Sequence, residues 1–169
     1  LSASKLLESG YEKGFVAPPV LADITDDGVD DIIANAVNGR MVAFDGLTDE
    51  KLWSVSIPGT EAYCSIAVGY FTDDDVPDFF TNYGIGIWPD LDRSVQFMVD
   101  GKNGQVLFRD SLGTFQESTP IAYDLNQDGY DDALYGINYQ TRSGYSNQLS
   151  VIDFQNDTIF QTGPRNFGA

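Results

Sequence analysis

The chain has 169 residues, 42% of them apolar, enough for a core of ordinary size. Its 26 acidic residues against 9 basic ones give a net charge of −17 and a pI near 4.1, which argues against nucleic acid and anionic membrane surfaces as partners, since both need a basic face. Histidine is missing altogether, and with it the commonest general base and the commonest zinc ligand.

Residues 1–14 read as the fourth strand of a preceding unit, or as a linker, with "LSASKLL" suited to a strand. The chain begins at Leu1 without an initiator methionine or a signal peptide, so it reads as a processed or excerpted piece and says little about compartment. A first unit spans 15–60. The strand "APPVLAD" runs into the acidic loop "ADITDDGVDD", and "DDIIANAV" leaves it. Asn38-Gly39 supplies the positive φ of a tight hairpin turn. A third strand ends at Asp45, and a fourth shows Trp53, Val55 and Ile57 alternating with Leu52, Ser54 and Ser56.

The pattern then recurs. The second unit, 61–115, runs from "CSIAVGY" through "GYFTDDDVPDFF" to a third strand with Val95, Phe97 and Val99 in alternation, then turns at Asp100 with Asn103-Gly104. The third unit, 116–163, has "STPIAYD", the loop "YDLNQDGYDD", and a turn at Asp153. Residues 164–169 read as the start of a further unit. Asp31, Asp78 and Asp132 stand 47 and 54 residues apart, while Asp45, Asp100 and Asp153 stand 55 and 53 apart. Two independent markers with one period establish a repeat of about 50 residues. No apolar stripe at helical spacing competes, and no run approaches the length of a membrane span. The expected fold is all-β: a β-propeller sector of three four-stranded antiparallel blades, part of a larger propeller, because three units cannot close a ring. Cys64, the one cysteine, reads as a small buried apolar residue in a strand.

The acidic loops carry the chemistry. In the third, Asp124, Asn126 and Asp128 occupy alternate positions, the Tyr130 carbonyl can supply a fourth oxygen, and Asp132 can close the shell. In the first, Asp23, Thr25, Asp27, the Val29 carbonyl and Asp31 take the same places. Hard oxygen donors at this spacing suit Ca²⁺, and Gly28 and Gly129 permit the sharp turn. An EF-hand is excluded, since its twelfth position would be Ala34 or Tyr135 rather than a bidentate carboxylate. The second loop, with Tyr70 at the first place, Asp75 for the glycine and Pro77 beside it, is expected to keep the hairpin and to bind calcium weakly or not at all. The bland alternative is that Asp and Asn merely favour turns.

The opening Phe15-x-Ala17-Pro18, the terminal Phe167-Gly168-Ala169 and the Asp-x-Asn-x-Asp-Gly-x-x-Asp loop resemble FG-GAP repeats, the units of the integrin α-subunit propeller and of many bacterial surface proteins. The resemblance covers nearly the whole chain and implies calcium held by the first and third loops. It also implies a recognition face opposite those loops. There the second unit lengthens to "YGIGIWPDLDRS", with Trp88 and Arg93, and the third to "NYQTRSGYSNQ", with Tyr139, Arg142 and Tyr145. Aromatic and arginine side chains are enriched where proteins bind partners. "AFDGLTDEKLW" more weakly resembles quinoprotein-type blades, without cofactor residues.

The functional expectation is a non-catalytic, calcium-stabilised module, extracellular or at a cell surface (periplasmic or luminal settings included), that recognises a protein or glycan. The other blades would come from the same chain or another subunit. Millimolar calcium, which weak extracellular sites require, favours that setting. Asn156-Asp157-Thr158 adds a glycosylation sequon. The competing readings are a sector of a carbohydrate-active enzyme of polysaccharide-lyase type and a structural subunit of a surface assembly. For the enzyme, the available bases are Lys5, Lys13, Lys51 and Lys102, which form no recognisable constellation.

Overall fold

The computed structural model describes residues 13–114, 118–141, 144–156 and 158–162. Segments 1–12 and 164–169, Arg142 and Asp157 lie outside them. The described residues form strands, turns and irregular segments, without a helix. Among the described residues no helix is long and apolar enough to cross a membrane.

Among the described residues thirteen strands make three antiparallel sheets. The first contains β1 (Val20–Ala22), β2 (Asp31–Ala36), β3 (Arg40–Phe44) and β4 (Lys51–Ser56), paired in that order. The third contains β10 (Ile121–Tyr123), β11 (Asp132–Thr141), β12 (Gly144–Asp153) and β13 (Thr158–Thr162), again in order. The second has five strands: β5 (Thr60–Glu61), β6 (Ala67–Gly69), β7 (Asp78–Ile87), β8 (Asp90–Val99) and β9 (Val106–Asp110). Its edge strand is broken in two. β6 pairs with the start of β7, and β5 with its far end, Thr60 opposite Ile85. The first and third sheets mark the place of β5 with single bridges, Phe15 to Ala36 and Thr114 to Asn138.

The sheets stack by a strict alternation. Because neighbouring side chains on a strand point to opposite faces, Phe79 and Phe80 enter different cores. Phe79 joins Tyr83, Val95, Phe97 and Val99 against Ile33, Met41, Ala43 and Val55 of the first sheet. Phe80 joins Ala67, Phe71 and Met98 against Ala133, Tyr135, Ile137 and Ile152 of the third. The middle sheet is therefore covered on both faces, and the first seven residues of β7 are all buried. Rings lock each interface: Trp53 of the first sheet meets Phe79 of the second at 5.9 Å, and Phe80 meets Tyr135 of the third at 5.2 Å. Sheets of this order, stacked face to face by one repeated rule, are consecutive propeller blades.

A polar network runs through the first interface. The Tyr83 hydroxyl donates to Asn35 Oδ1 at 2.7 Å, and Asn35 Nδ2 donates to the Cys64 carbonyl at 3.0 Å and to Thr81 Oγ1 at 3.1 Å. Cys64 is buried within it, and that burial pushes its thiol above the ordinary range, so it stays neutral and unreactive.

Two segments expected as long loops are strands instead. β7 and β8 run on until only Trp88-Pro89 separates them, and β11 and β12 until only residues 142–143 remain between. Gly84 and Gly86 suggest turn chemistry, but Gly84 pairs with Ser94 and with Glu61, and Gly86 sits at a register shift. Both hairpins become ribbons of ten-residue strands.

Phe80 is the side chain through which the middle sheet holds the third. Phe80→Ala should cost about 3–5 kcal/mol, read as a lower urea midpoint with an unchanged slope.

Candidate metal centre

The first and third acidic loops share one backbone path. Asp26 and Gly28 take φ of 59° and 84°, and Gln127 and Gly129 take 62° and 98°. These left-handed positions curl the chain so that the leading aspartate caps the backbone behind it. Asp23 accepts the N–H groups of Asp27 at 3.3 Å and Gly28 at 2.8 Å. Asp124 accepts those of Gln127 at 2.7 Å, Asp128 at 3.2 Å and Gly129 at 3.0 Å. Asp27 then takes the N–H of Val29, and Asp128 that of Tyr130. The second loop has no residue in the left-handed region. With Asp75 in place of glycine, it follows a different path.

The last aspartate of each loop turns inward. Asp31 is fully buried, and its two oxygens accept the N–H groups of Ile24 at 2.9 Å, Thr25 at 3.1 Å and Gly46 at 2.9 Å. Asp78 does the same with Thr72 N–H at 3.0 Å, the Thr72 hydroxyl at 2.9 Å and Gly101 N–H at 3.1 Å. Asp132 is buried and accepts Leu125 N–H at 2.9 Å. In the first two repeats this carboxylate ties the acidic loop to the turn beyond the third strand. The backbones meet so closely there that a Cβ on Gly46 would stand 2.0 Å from the Asp30 carbonyl, and one on Gly101 1.9 Å from that of Pro77. The residue expected to close a metal shell is thus also a structural brace.

In the third repeat the tie runs through Asn126. Its Nδ2 donates to Asp128 at 2.9 Å and to Asp153 at 3.0 Å, and its Oδ1 accepts Asp128 N–H at 3.0 Å. Asp153 belongs to this site although the loop motif does not contain it. Its repeated position after each third strand was the signal. The donor set fits a hard cation by chemistry, with carboxylate and amide oxygens on one loop. Yet among the described residues no three acidic side chains are gathered closely enough to hold an ion as they stand. Thr25 and Val29 are exposed, and Tyr130 half-buried. Between the second and third loops lies an open acidic cleft of about 370 Å³, lined by Asp73, Asp74, Asp75 and Asp128 with Tyr70 and Tyr130. Its wall is clamped by Tyr70 and Asp131, each donating its N–H to the other residue at 2.9 Å.

Electrostatics separates the carboxylates. Burial raises Asp78, against its hydrogen bonds from Gly101 and Thr72. Burial also raises Asp132, helped by repulsion from Asp153, Asp128 and Asp124. Asp23 is held low chiefly by the Gly28 N–H, and Asp45 by the Thr48 N–H. Burial alone would raise Asp153, but the Asn156 side chain and the N–H groups of Asn156 and Gln155 hold it below the ordinary value.

The residues expected on the opposite face lie on the ribbons. A ten-residue strand spans about 30 Å, which separates the Trp88-Pro89 turn from the loop ahead of β7. Trp88 is exposed, 6.4 Å from the Tyr63 ring. Its N–H donates to the buried Glu61 at 2.7 Å, as does the Tyr63 hydroxyl, and Lys13 pairs with the same carboxylate. Arg93 is exposed beside Asp92. Tyr139 packs partly into the second core, and Tyr145 pairs by backbone with Gln140.

No protein-family profile matches the chain, and no curated protein matches it. Among solved structures it is similar to BamB from Moraxella catarrhalis, at 11% identity and a TM-score of 0.28, over 86% of this chain and 49% of that one. The chain thus spans about half the length of that protein, and the likeness is too distant to bear on function.

Two outcomes test this geometry. Gly101→Ala should cost about 2 kcal/mol or more, because backbone rather than a flexible side chain must give way. In calcium-free solution, carboxyl titration by NMR should place Asp78 and Asp132 above the reference of about 3.9, and Asp23, Asp45 and Asp153 below it. The sign for stability follows. The first pair contribute more as pH falls toward the reference value. The other three contribute above it and lose that contribution as pH falls through their folded values.

Proposed function

We propose that this chain is a sector of an FG-GAP-type propeller in which calcium stiffens the loop end of the blades and the ribbon end recognises a protein or glycan, outside a cell or at its surface. The observation that carries the reading is the third loop. There burial raises Asp132, and Asp153, Asp128 and Asp124 add repulsion to it, a grouping of like charges that a cation relieves. Asp124, Asn126, Asp128 and the Tyr130 carbonyl would hold the ion with Asp132, and Asp23, Thr25, Asp27, Val29 and Asp31 would do so in the first loop. Bound there, Ca²⁺ supplies charge neutralisation and a cross-link, with no reaction attached. Support for recognition at the other end is the exposed Trp88, fixed through its backbone by a buried carboxylate and so presented at low entropic cost.

The test is thermal unfolding with calcium and with chelator. Sites with dissociation constants of roughly 0.1–1 mM would add about 1.4–2.7 kcal/mol at about 10 mM calcium, a rise of several degrees in Tm. Asp128→Ala should remove most of that rise while leaving the calcium-free Tm nearly unchanged. An identical Tm in calcium and chelator sinks the calcium reading.

A further inference from the structure

We propose that the groove between the second and third blades, at the loop end, docks a basic segment of another protein. An aliphatic side chain of that segment sits on the groove's rings, and the lysines or arginines after it enter the acidic cleft alongside. The groove has a volume of about 300 Å³, enough for a large side chain. Its lining includes Leu107, Phe108 and Phe154, and Thr72 and Asp73 of the second acidic loop.

The repeat explains why a groove stands here. Trp53 pairs with Ala43 in the first sheet, and Phe108 pairs with Met98 at the corresponding place in the second. The Trp53 indole crosses to the next blade, where its N–H donates to the Gly101 carbonyl at 2.8 Å. Phe108 is a smaller ring without a donor, and it ends against Phe154 at 5.3 Å. Phe154, which stands where the first junction has Gly101, meets Phe71 at 5.1 Å. Three rings thus make an apolar floor, and Leu107 beside them is 45% exposed. A concave site lined by aromatic and aliphatic groups with a few polar ones is the usual form of a docking pocket.

Charge selects the occupant. Thr72 and Asp73 line the acidic cleft as well as the groove, so the two spaces adjoin. The cleft adds Asp74, Asp75 and Asp128, and no lysine or arginine lines either space. The described ion pairs, Lys13 with Glu61 and Arg93 with Asp92, lie elsewhere. Asp73 and Asp75 are exposed, on the loop that lacks the left-handed curl of the other two. Like charges crowded there repel, and a cationic side chain among them relieves the repulsion. A lone cation would use the cleft alone, whereas a basic peptide with an apolar anchor uses cleft and groove together. This chain does not carry such a peptide: its nine basic residues are scattered, and the closest two, Lys102 and Arg109, stand seven positions apart. A second copy, with the same charge of −17, would be repelled. The fitting partner is a separate, basic one, oriented by complementary charge.

The test is an NMR titration at low ionic strength, in chelator, with a short capped peptide of one leucine followed by lysines. Amide shifts should concentrate on residues 71–75, Leu107 and Gln155. Asp73→Asn with Asp75→Asn should raise the dissociation constant about fivefold, and Leu107→Ser about threefold. Replacing the peptide's leucine by serine should weaken binding as much as Leu107→Ser does, and combining the two changes should add little. Asp90→Asn with Asp92→Asn, which removes the same charge at the ribbon end, should change nothing. All five positions are exposed, and an unchanged Tm in chelator verifies folding. A peptide that shifts nothing at millimolar concentration overturns the proposal, as do shifts gathered at Trp88 and Arg93. So does an equal loss of affinity in the ribbon-end variant, which would mean that the peptide reads only net charge. A serine peptide that binds as tightly as the leucine one overturns it too, since the acidic cleft would then be holding cations without the groove.

Discussion

The loop end of this molecule depends on one interaction, a buried carboxylate that gathers backbone N–H groups from two separate turns. The inner strands β1, β6 and β10 are three residues each, too short for their ladders alone to fix the long loops that follow. Asp31 and Asp78 fix them instead, each bonded to its own acidic loop and to the glycine of a turn beyond the third strand. A hydrogen bond to an ionised group contributes about 1.5–3 kcal/mol, and a buried donor left without its partner costs a similar amount. Several dipoles converge on each carboxylate and offset part of the cost of burying it, although at Asp78 burial still outweighs them. The demand for close approach then dictates glycine at 46 and 101, where a side chain would collide with carbonyl oxygen.

From that clamp the rest of each blade is ordered outward. With the loop end fixed, the register of the second and third strands is set, and alternation sends Phe79 and Phe80 into opposite cores. At the other end the ladders run long enough to hold themselves, and polar contacts take a different role. Asn35, Thr81 and Tyr83 saturate one another in the first interface. Glu61 collects Lys13, Tyr63 and the Trp88 N–H at the base of a ribbon. The blades are thus braced by backbone acceptors at one end and by side-chain networks at the other, which leaves the exposed loops and turns free to vary.

Much of this was legible because the repeat spoke twice, through the loop aspartates and the turn aspartates, and because β-type alternation is a local signal. Strand order and the antiparallel hairpins follow from it. What was not legible depended on long-range pairing. Gly84, Gly86 and Pro89 look like loop chemistry, yet cross-strand partners such as Val95 opposite Tyr83 extend the ribbon through them. By sequence Thr60 closes the first unit and Glu61 opens the second, yet the two together form one short strand that pairs with the far end of β7, Thr60 opposite Ile85 and Glu61 opposite Gly84. The acidic motif was the most ambiguous element. A ninth-position aspartate looks the same whether it closes a metal shell or bonds backbone N–H groups, and only the burial of Asp31 with Gly46 against it shows the second role.

The third repeat shows how the two roles meet. After its turn aspartate stands Phe154 where the earlier repeats have glycine, and the ring fills the second interface, meeting Phe71 at 5.1 Å and Phe108 at 5.3 Å. A phenylalanine cannot reproduce the close backbone approach of Gly46 and Gly101. The loop is joined to that turn through Asn126, an amide shared between two carboxylates. An amide offers two N–H donors and no net charge, so the surrounding negative charge is bridged without being neutralised, and Asp132, raised first by burial, is raised further by its acidic neighbours. The first loop, whose aspartate is saturated by three backbone donors, has less to gain from a cation. The blade that exchanged its glycine for an aromatic anchor is therefore the one in which a divalent ion would contribute most.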